Sequence, residues 1–443
     1  MATGSSTADT EALAARLRAL IGRLPQHWPD ADRVVVAYSG GRDSHTLLTS
    51  VVACFASSAT AVSALHINHG LQPAAGHWAV HCEAVCAELG VECTVLAVAV
   101  QPDGQGLEAA ARAARYRAFA DHLPPGAVLL QAHHADDQAE TVLLRLLRGS
   151  GAHGAAGIPA TRPLGSGVLW RPWLSVTADE IAAVAQAEGL AWVEDPSNAD
   201  PRFDRNFLRQ CVLPQLRARW PSLSRSIGTA AANFDDAALV LDQHADGLLA
   251  QDGAAETVSV ALLARASPAH ARTLLHRWLN RNGVPVPSRA TLDRLRTEVA
   301  GARADAQPAL RVGGLTVRRH RGRLHAAPDV PVFDTGASLE WSDPSQPLAL
   351  PTGQVLHADT VLADGLDRAH LHRRWQVRFA CGSALLKPPR RSRARVKKLL
   401  NAVGVPAWQR PALPYLYIDG ELAWVEQLGV DHAFRRADFV GAT

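Results

Sequence analysis

Six consecutive residues, Ser39-Gly40-Gly41-Arg42-Asp43-Ser44, place two glycines, two hydroxyls and an acid between an apolar run and a helical pattern. That setting suits a phosphate. Glycines let the backbone turn tightly enough for several N–H groups to converge on one anion, and the helix adds the positive end of its dipole, roughly half a unit charge. The loop lacks the lysine and glycine spacing of a Walker A motif. As an ordinary turn it would do no more than cap its helix through Ser44. A second polar concentration, His133-His134-Ala135-Asp136-Asp137-Gln138-Ala139-Glu140, follows another apolar run. A capping box could employ Asp137 and Glu140 by itself. Two histidines and two aspartates exceed that need. A carboxylate pair facing a triphosphate would hold Mg2+, which takes one or two carboxylates and keeps phosphate and water oxygens. Zinc is disfavoured, because adjacent histidines diverge and no third soft ligand lies at a usual spacing.

Three further groups stand near these. His66-Ile67-Asn68-His69-Gly70 ends a third apolar run. Glu108, Arg112, Arg115 and Tyr116 share one helix, where Glu108 and Arg112 form either a solvated i,i+4 pair or part of an anion site. Glu194-Asp195-Pro196-Ser197-Asn198, followed by Arg205-Asn206-Phe207-Leu208-Arg209, is a turn and then a helix, either simple turn chemistry or a site wall. Gly149-Ser150-Gly151-Ala152-His153-Gly154 fits G-x-G-x-x-G literally. It follows a helical stretch where a dinucleotide fingerprint requires a strand, so it reads as a flexible helix exit.

Short apolar strands alternating with helices must position these groups: strands at 33–37, 62–67, 92–100 and 127–132, helices at 46–52, 76–89 and 107–122. This is the signature of an α/β parallel sheet, in which ligands collect at the carboxyl ends of strands. Long Ala/Leu-rich helices follow at 222–249, 268–280 and 289–299, then a basic β segment over 310–326. Residues 328–351 read as a linker or irregular edge, and 373–398 as a basic segment. Asp419-Gly420 between two apolar runs is a two-residue hairpin turn. At 443 residues the chain exceeds one core, and the expected domains are 1–220, 221–330 and 331–443. The only lysines are Lys387, Lys397 and Lys398. That disfavours Schiff-base chemistry upstream. Six scattered cysteines without a C-x-x-C pair read as free thiols. No export signal or apolar run of about 20 residues is visible, so a cytoplasmic protein without membrane association is expected.

Residues 39–44 match the S-G-G-x-D-S loop of the PP-loop ATP pyrophosphatases, which cleave ATP between its α and β phosphates. Together with 66–71, 108–116, 132–151, Arg171-Pro172, 195–198 and Arg205-Asn206, they resemble the tRNA(Ile)-lysidine synthetase family; the likeness is weaker over 386–430 and thin between about 230 and 370. Gln72 and Trp173 depart from that family's pattern. The resemblance implies a parallel-sheet PP-loop domain, a mainly helical middle domain and a small α+β C-terminal domain. It also implies ATP and Mg2+ as cofactors, with tRNA(Ile) bearing a CAU anticodon and free L-lysine as substrates. Ser39, Gly40, Gly41, Arg42, Asp43, Ser44 and His66 would bind the nucleotide, and Asp43 and Asp137 the metal. Arg112, Arg115 and His134 join these two acids as expected catalytic groups. Asp136, Glu140, Asn198 and Arg205 would bind substrate, with Asp136 and Glu140 on the lysine ammonium. Basic residues at 318–323 and 373–398 would contact tRNA phosphates. A PP-loop tRNA thiolase, another adenylating ligase and a tRNA-binding protein with a degenerate nucleotide site are the rivals. Oligomeric state is left open, with a homodimer among the options.

Overall fold

The computed structural model describes residues 7–100, 106–253, 256–284, 287–303, 306–380, 382–389 and 391–437. Two compact units divide the chain, Met1–Leu241 and Asp242–Thr443. The division falls within the helix Leu223–Gln251, beyond the boundary expected at 220. Side chains explain the shift: Ser224 donates to Asp136 at 2.5 Å and Arg225 pairs with Glu180 at 2.7 Å, fastening the start of that helix to the first unit.

In the first unit, β1 (Arg33–Ala37), β2 (Ala61–Asn68), β3 (Glu92–Ala97), β4 (Val128–Leu130), β5 (Thr161–Leu164) and β6 (Gly167–Trp170) form one sheet, ordered β3-β2-β1-β4-β6-β5. All neighbours are parallel except β5 and β6. Val34, Val35, Val36 and all of β4 are buried, as strands covered on both faces require. The longer helices before residue 200 are α1 (Thr7–Ile21), α2 (Arg42–Phe55), α3 (Ala75–Glu88), α4 (Leu107–His122), α5 (Ala135–Leu147) and α6 (Ala178–Ala187). Leu17 and Ile21 of α1 are fully buried, each worth about 1.5–3 kcal/mol. Trp173 is fully buried too, and its indole donates to Leu17 O at 3.3 Å, so the departure at this position serves packing. Strand order reverses between β1 and β4, which opens the crevice where doubly wound sheets take ligands. The loop 38–41 and the segment 131–134 flank it. The G-x-G-x-x-G stretch does follow a helix, α5, but it is tied down: Arg145 donates to Gly154 O at 3.1 Å and also to Gly157 O.

The second unit holds separate cores. One gathers Trp278, Leu275 and Leu279 of the helix Pro268–Arg281 against an antiparallel sheet of Thr257–Ser259, Arg323–Ala327, Leu315–His320 and Ala309–Val312. Another centres on Trp341, Trp375 and Trp424 within an antiparallel sheet of Ser338–Trp341, Trp375–Arg378, Tyr415–Ile418, Glu421–Val425 and Gly429–Val430. Ser338–Trp341 lies inside the stretch read as a linker or irregular edge. Its Leu339/Trp341 alternation packs it as the sheet's edge strand. Asp419 (φ 49°) and Gly420 (φ 85°) make the expected hairpin turn, both in the left-handed conformation that such turns demand. No helix among the described residues is long and apolar enough to cross a membrane.

Candidate active site

The loop after β1 is closed upon itself. Gly40 adopts φ 82°, Ser39 N–H donates to Ser44 Oγ at 3.2 Å, and the two serine hydroxyls meet at 2.9 Å. Ser44 O–H donates to Gly41 O at 2.9 Å, so its hydroxyl pins the loop at the edge of the cleft. Gly41 is the N-cap of α2, without a side-chain cap. The first intrahelical bond runs from His45 N–H to Gly41 O. The N–H groups of Arg42, Asp43 and Ser44 precede it and point out of the helix end, the geometry that takes an anion. Across the loop, Val193 N–H donates to Gly40 O at 3.0 Å. A Cβ on Gly40 would sit 3.0 Å from Val193 Cγ2 and 3.1 Å from Cys82 Sγ. Gly40→Ala combines that crowding with a left-handed backbone, a cost of about 1–3 kcal/mol. The expected result is ATP binding weakened about tenfold or more, read by ATP titration, together with a melting temperature lowered by several degrees.

At the end of β4, His134 caps α5. Its Nδ1 accepts Asp137 N–H at 3.4 Å while Asp137 Oδ2 accepts His134 N–H at 3.1 Å. The box is therefore His134 with Asp137, and Glu140 takes no part in it. His134 Nε2 lies 3.5 Å from both Asp43 Oδ2 and Asp137 Oδ2, so one imidazole spans the acid of the loop and the acid of α5. Burial works against charge on all three groups. It is outweighed at His134 by the hydrogen bond to Asp43 and by the nearby acids, which raise its pKa. It is outweighed at Asp43 by His134 and Arg42, and at Asp137 by His134, Arg205, His133 and Arg209, which hold both carboxyls below the usual range.

Arg205 and Arg209, one turn apart, clamp the i,i+3 acids of α5. Arg205 donates to Asp137 Oδ1 at 2.9 Å and Glu140 Oε2 at 2.7 Å; Arg209 donates to Glu140 Oε1 at 2.6 Å and Asp137 Oδ1 at 3.3 Å. Glu140 is fully buried. Asp136 is buried as well, and accepts from Ala178 N–H at 2.6 Å, Ser224 O–H at 2.5 Å and Arg217. In this arrangement protein donors occupy both of the acids expected to meet the lysine ammonium. Arg209 was expected only as part of a turn or site wall, without a partner of its own, and Arg217 was not singled out. The i,i+4 spacing of Arg205 and Arg209 opposite i,i+3 acids is the signal that could have exposed the first.

A cleft of about 340 Å³ extends from the loop along β1 and β2, lined by Ser39, Asp43, His66, Asn68, Arg115, His133 and Asn198 among others. His66 Nδ1 lies 3.0 Å from Tyr38 O; burial lowers its pKa, keeping the ring neutral near pH 7. Arg115 faces the cleft, while Arg112 lies over the Tyr116 ring at 5.0 Å and donates to its hydroxyl at 3.4 Å. Neither arginine has a carboxylate partner among the described residues. The Glu108 side chain, and with it the Glu108–Arg112 pair, lies outside the described residues. A second opening of about 710 Å³ borders the same loop and is walled by residues 192–199. There Asp195 accepts from Ser197 N–H at 2.9 Å, and Asn206 ties Ser197 O and Asp200 O together, so the segment is both a turn and a wall. The five described cysteines are free, and burial pushes the Cys82 thiol up to about 12. Cys381 lies outside the described residues.

The two basic segments behave differently. Arg318 pairs with Asp329, Arg319 donates to Ala300 O and Ala302 O, His320 meets Gly404 O, Arg321 donates to Asn401 O and Arg323 pairs with Asp252. In this strand pair, expected to hold phosphates, Arg318 and Arg323 meet carboxylates while Arg319 and Arg321 bond carbonyls and keep a charge unpaired among the described residues. In the later segment Arg391, Arg393, Arg395, Lys397 and Lys398 are exposed, with no ion-pair partner among the described residues.

A glycine-rich loop closing the β1 end of a parallel sheet, beside two acids and without a Walker lysine, defines a PP-loop nucleotide-binding protein. Residues 10–216 match the family model described as the PP-loop domain. Residues 259–325 match the TilS substrate binding domain, and 375–439 the TilS substrate C-terminal domain. The tRNA(Ile)-lysidine synthase of Alkalilimnicola ehrlichii is 43% identical over 90% of this chain and 90% of its own length. That of Methylococcus capsulatus is 40% identical over 88% of this chain and 90% of its own. The chain belongs to the tRNA(Ile)-lysidine synthase family, whose members are ATP-dependent ligases.

Proposed function

We propose that this protein ligates L-lysine to C2 of the wobble cytidine in the CAU anticodon of tRNA(Ile), in the cytoplasm. The cytosine O2 attacks the α-phosphorus of ATP and pyrophosphate leaves. The lysine amine then attacks C2, AMP departs with O2, and the amine loses a proton. The observation that carries this reading is His134 bridging Asp43 and Asp137 next to the free N–H groups at the start of α2. The loop Ser39–Ser44 grips the pyrophosphate through its amides, and His66 borders the nucleoside. Asp43 lines a cleft with room for phosphate and water oxygens and Asp137 lies on the other side of His134 from it, a pair of hard carboxylates whose chemistry fits Mg2+. Asp43 and Asp137 would hold it, and when bound it neutralises phosphate charge. Arg112 and Arg115 steady charge on the activated base. Asn198 walls the entry, Arg205 and Glu140 brace Asp137, and Asp136 anchors Ala178, Arg217 and Ser224. The catalytic part is 1–220, the middle part 221–330 and the tRNA-gripping part 331–443. The tRNA thiolase reading is less supported, since the relatives are lysidine synthases and the sequence has no C-x-x-C pair.

ATP–pyrophosphate exchange with and without a tRNA(Ile) transcript tests the first half, and the mass gain of that transcript with lysine the second. Exchange without any tRNA requirement, or no lysine-sized gain, rejects the reading. Replacing Arg391, Arg393, Lys397 and Lys398 with alanine is expected to weaken tRNA binding and flatten its salt dependence, by roughly 0.7–0.9 in log–log slope per lost phosphate contact. ATP affinity stays unchanged. An unaltered salt slope would remove this segment from the tRNA interface.

A further inference from the structure

Arg171 stands in the series of matching residues, yet the chemistry above assigns it no task. Its side chain is buried and has no carboxylate partner among the described residues. A buried cation without an acid is costly and persists only when its hydrogen bonds are satisfied. Here Nη1 donates to Pro159 O at 2.7 Å, Nη2 to the Tyr116 hydroxyl at 3.2 Å, and Nε to His133 Nδ1 at 3.0 Å. The Tyr116 O–H donates to Gln131 Oε1 at 3.1 Å, which leaves the hydroxyl oxygen as the acceptor for the guanidinium.

A guanidinium has donors and no acceptor. His133 Nδ1 must therefore accept, and the ring proton sits on Nε2. An imidazolium would set a second positive charge, and an N–H against an N–H, 3.0 Å from Arg171. His133 lines the cleft, and its Nε2 meets no protein acceptor among the described residues. We propose that Arg171 is a positioning residue that locks His133 as the Nε2–H tautomer, so that His133 presents a neutral donor to a non-bridging oxygen of the ATP α-phosphate as the base attacks. The ATP oxygen as target rests on the adenylation reading; the tautomer does not.

The test uses full-length protein labelled with 15N-histidine, with the His133 signals assigned by their loss in His133→Gln. The expected wild-type spectrum is a single Nε2–H tautomer, and Arg171→Met gives a mixture. In tRNA-dependent exchange, His133→Gln keeps an amide N–H where the imidazole Nε2 lies, and retains activity within about tenfold. His133→Met and Arg171→Met each lose about 100-fold in kcat with little change in the KM for ATP, the scale of one lost transition-state donor. The double variant Arg171→Met/His133→Met falls no lower than either single one, because both act through one hydrogen bond. An Nδ1–H tautomer in the wild type, equal losses in the glutamine and methionine variants, or additive losses in the double variant overturn the proposal. If Arg171→Met does not fold, the wild-type spectrum and the two His133 variants still decide. Wild-type protein without tRNA-dependent exchange sinks the adenylation reading, while the spectrum judges the tautomer lock separately.

Discussion

Asp43→Asn is expected to lower tRNA-dependent ATP–pyrophosphate exchange by about 10³-fold while leaving the protein folded. The carboxylate is one of two acids approached by His134 Nε2, and it faces both openings beside the loop. Asparagine keeps its shape and removes its charge. With the fold intact, the loss measures charge placed against the polyphosphate, where a single electrostatic contact is worth about 10²–10³ and a metal-holding carboxylate lies at the upper end. The Asp43 side chain is one-third exposed, so the stability change is small, of the order of 0.5 kcal/mol. Exchange within tenfold of the wild type in a folded Asp43→Asn protein would strike Asp43 from the chemistry and leave His134 bridging for structural reasons only.

A second large effect belongs to Glu140, and it separates two roles. The carboxylate is completely buried and receives three guanidinium hydrogen bonds of 2.6–2.9 Å from Arg205 and Arg209. Removing one partner of a buried ion pair costs about 3–5 kcal/mol. Arg205 and Arg209 are 29% and 41% exposed, so the lower end, about 3 kcal/mol, is expected for Glu140→Ala. Both arginines then collapse onto Asp137, and exchange falls together with the melting temperature. Glu140→Gln, which keeps an acceptor oxygen, lies between. A lysine-recognising Glu140 behaves otherwise: exchange and melting hold steady and only the KM for lysine rises. Denaturant titration beside lysine kinetics on the two variants distinguishes these outcomes.

Local patterning made much of the fold readable. The valine run of β1, the period of α4 and the Asp419-Gly420 turn carry their conformations in neighbouring residues. The 107–122 helix and the hairpin turn accordingly fall where expected. Ser338–Trp341 escaped because a four-residue strand set among Pro, Asp and Ser declares itself only through its partner Trp375–Arg378. The helix Leu223–Gln251 hid the unit boundary for a similar reason, since Ser224 and Arg225 find Asp136 and Glu180 far away in sequence.

At the site, the chain alone determined the tight loop after β1, because glycine spacing and the strand-to-helix setting are local constraints on φ and on N–H direction. It also determined that acids would stand at the end of β4. Only the tertiary structure decided which acid does what. Asp137 meets His134 and shares Arg205 and Arg209 with Glu140, one turn away, while Asp136, one residue away, is taken by Arg217, Ser224 and the Ala178 N–H. The basic strand pair at 318–323 shows the same division: its charge is plain in the sequence, but its internal partners are not. A charged side chain's role depends on whether its counter-charge comes from the protein or from a ligand, and distant segments settle that only when the chain has folded.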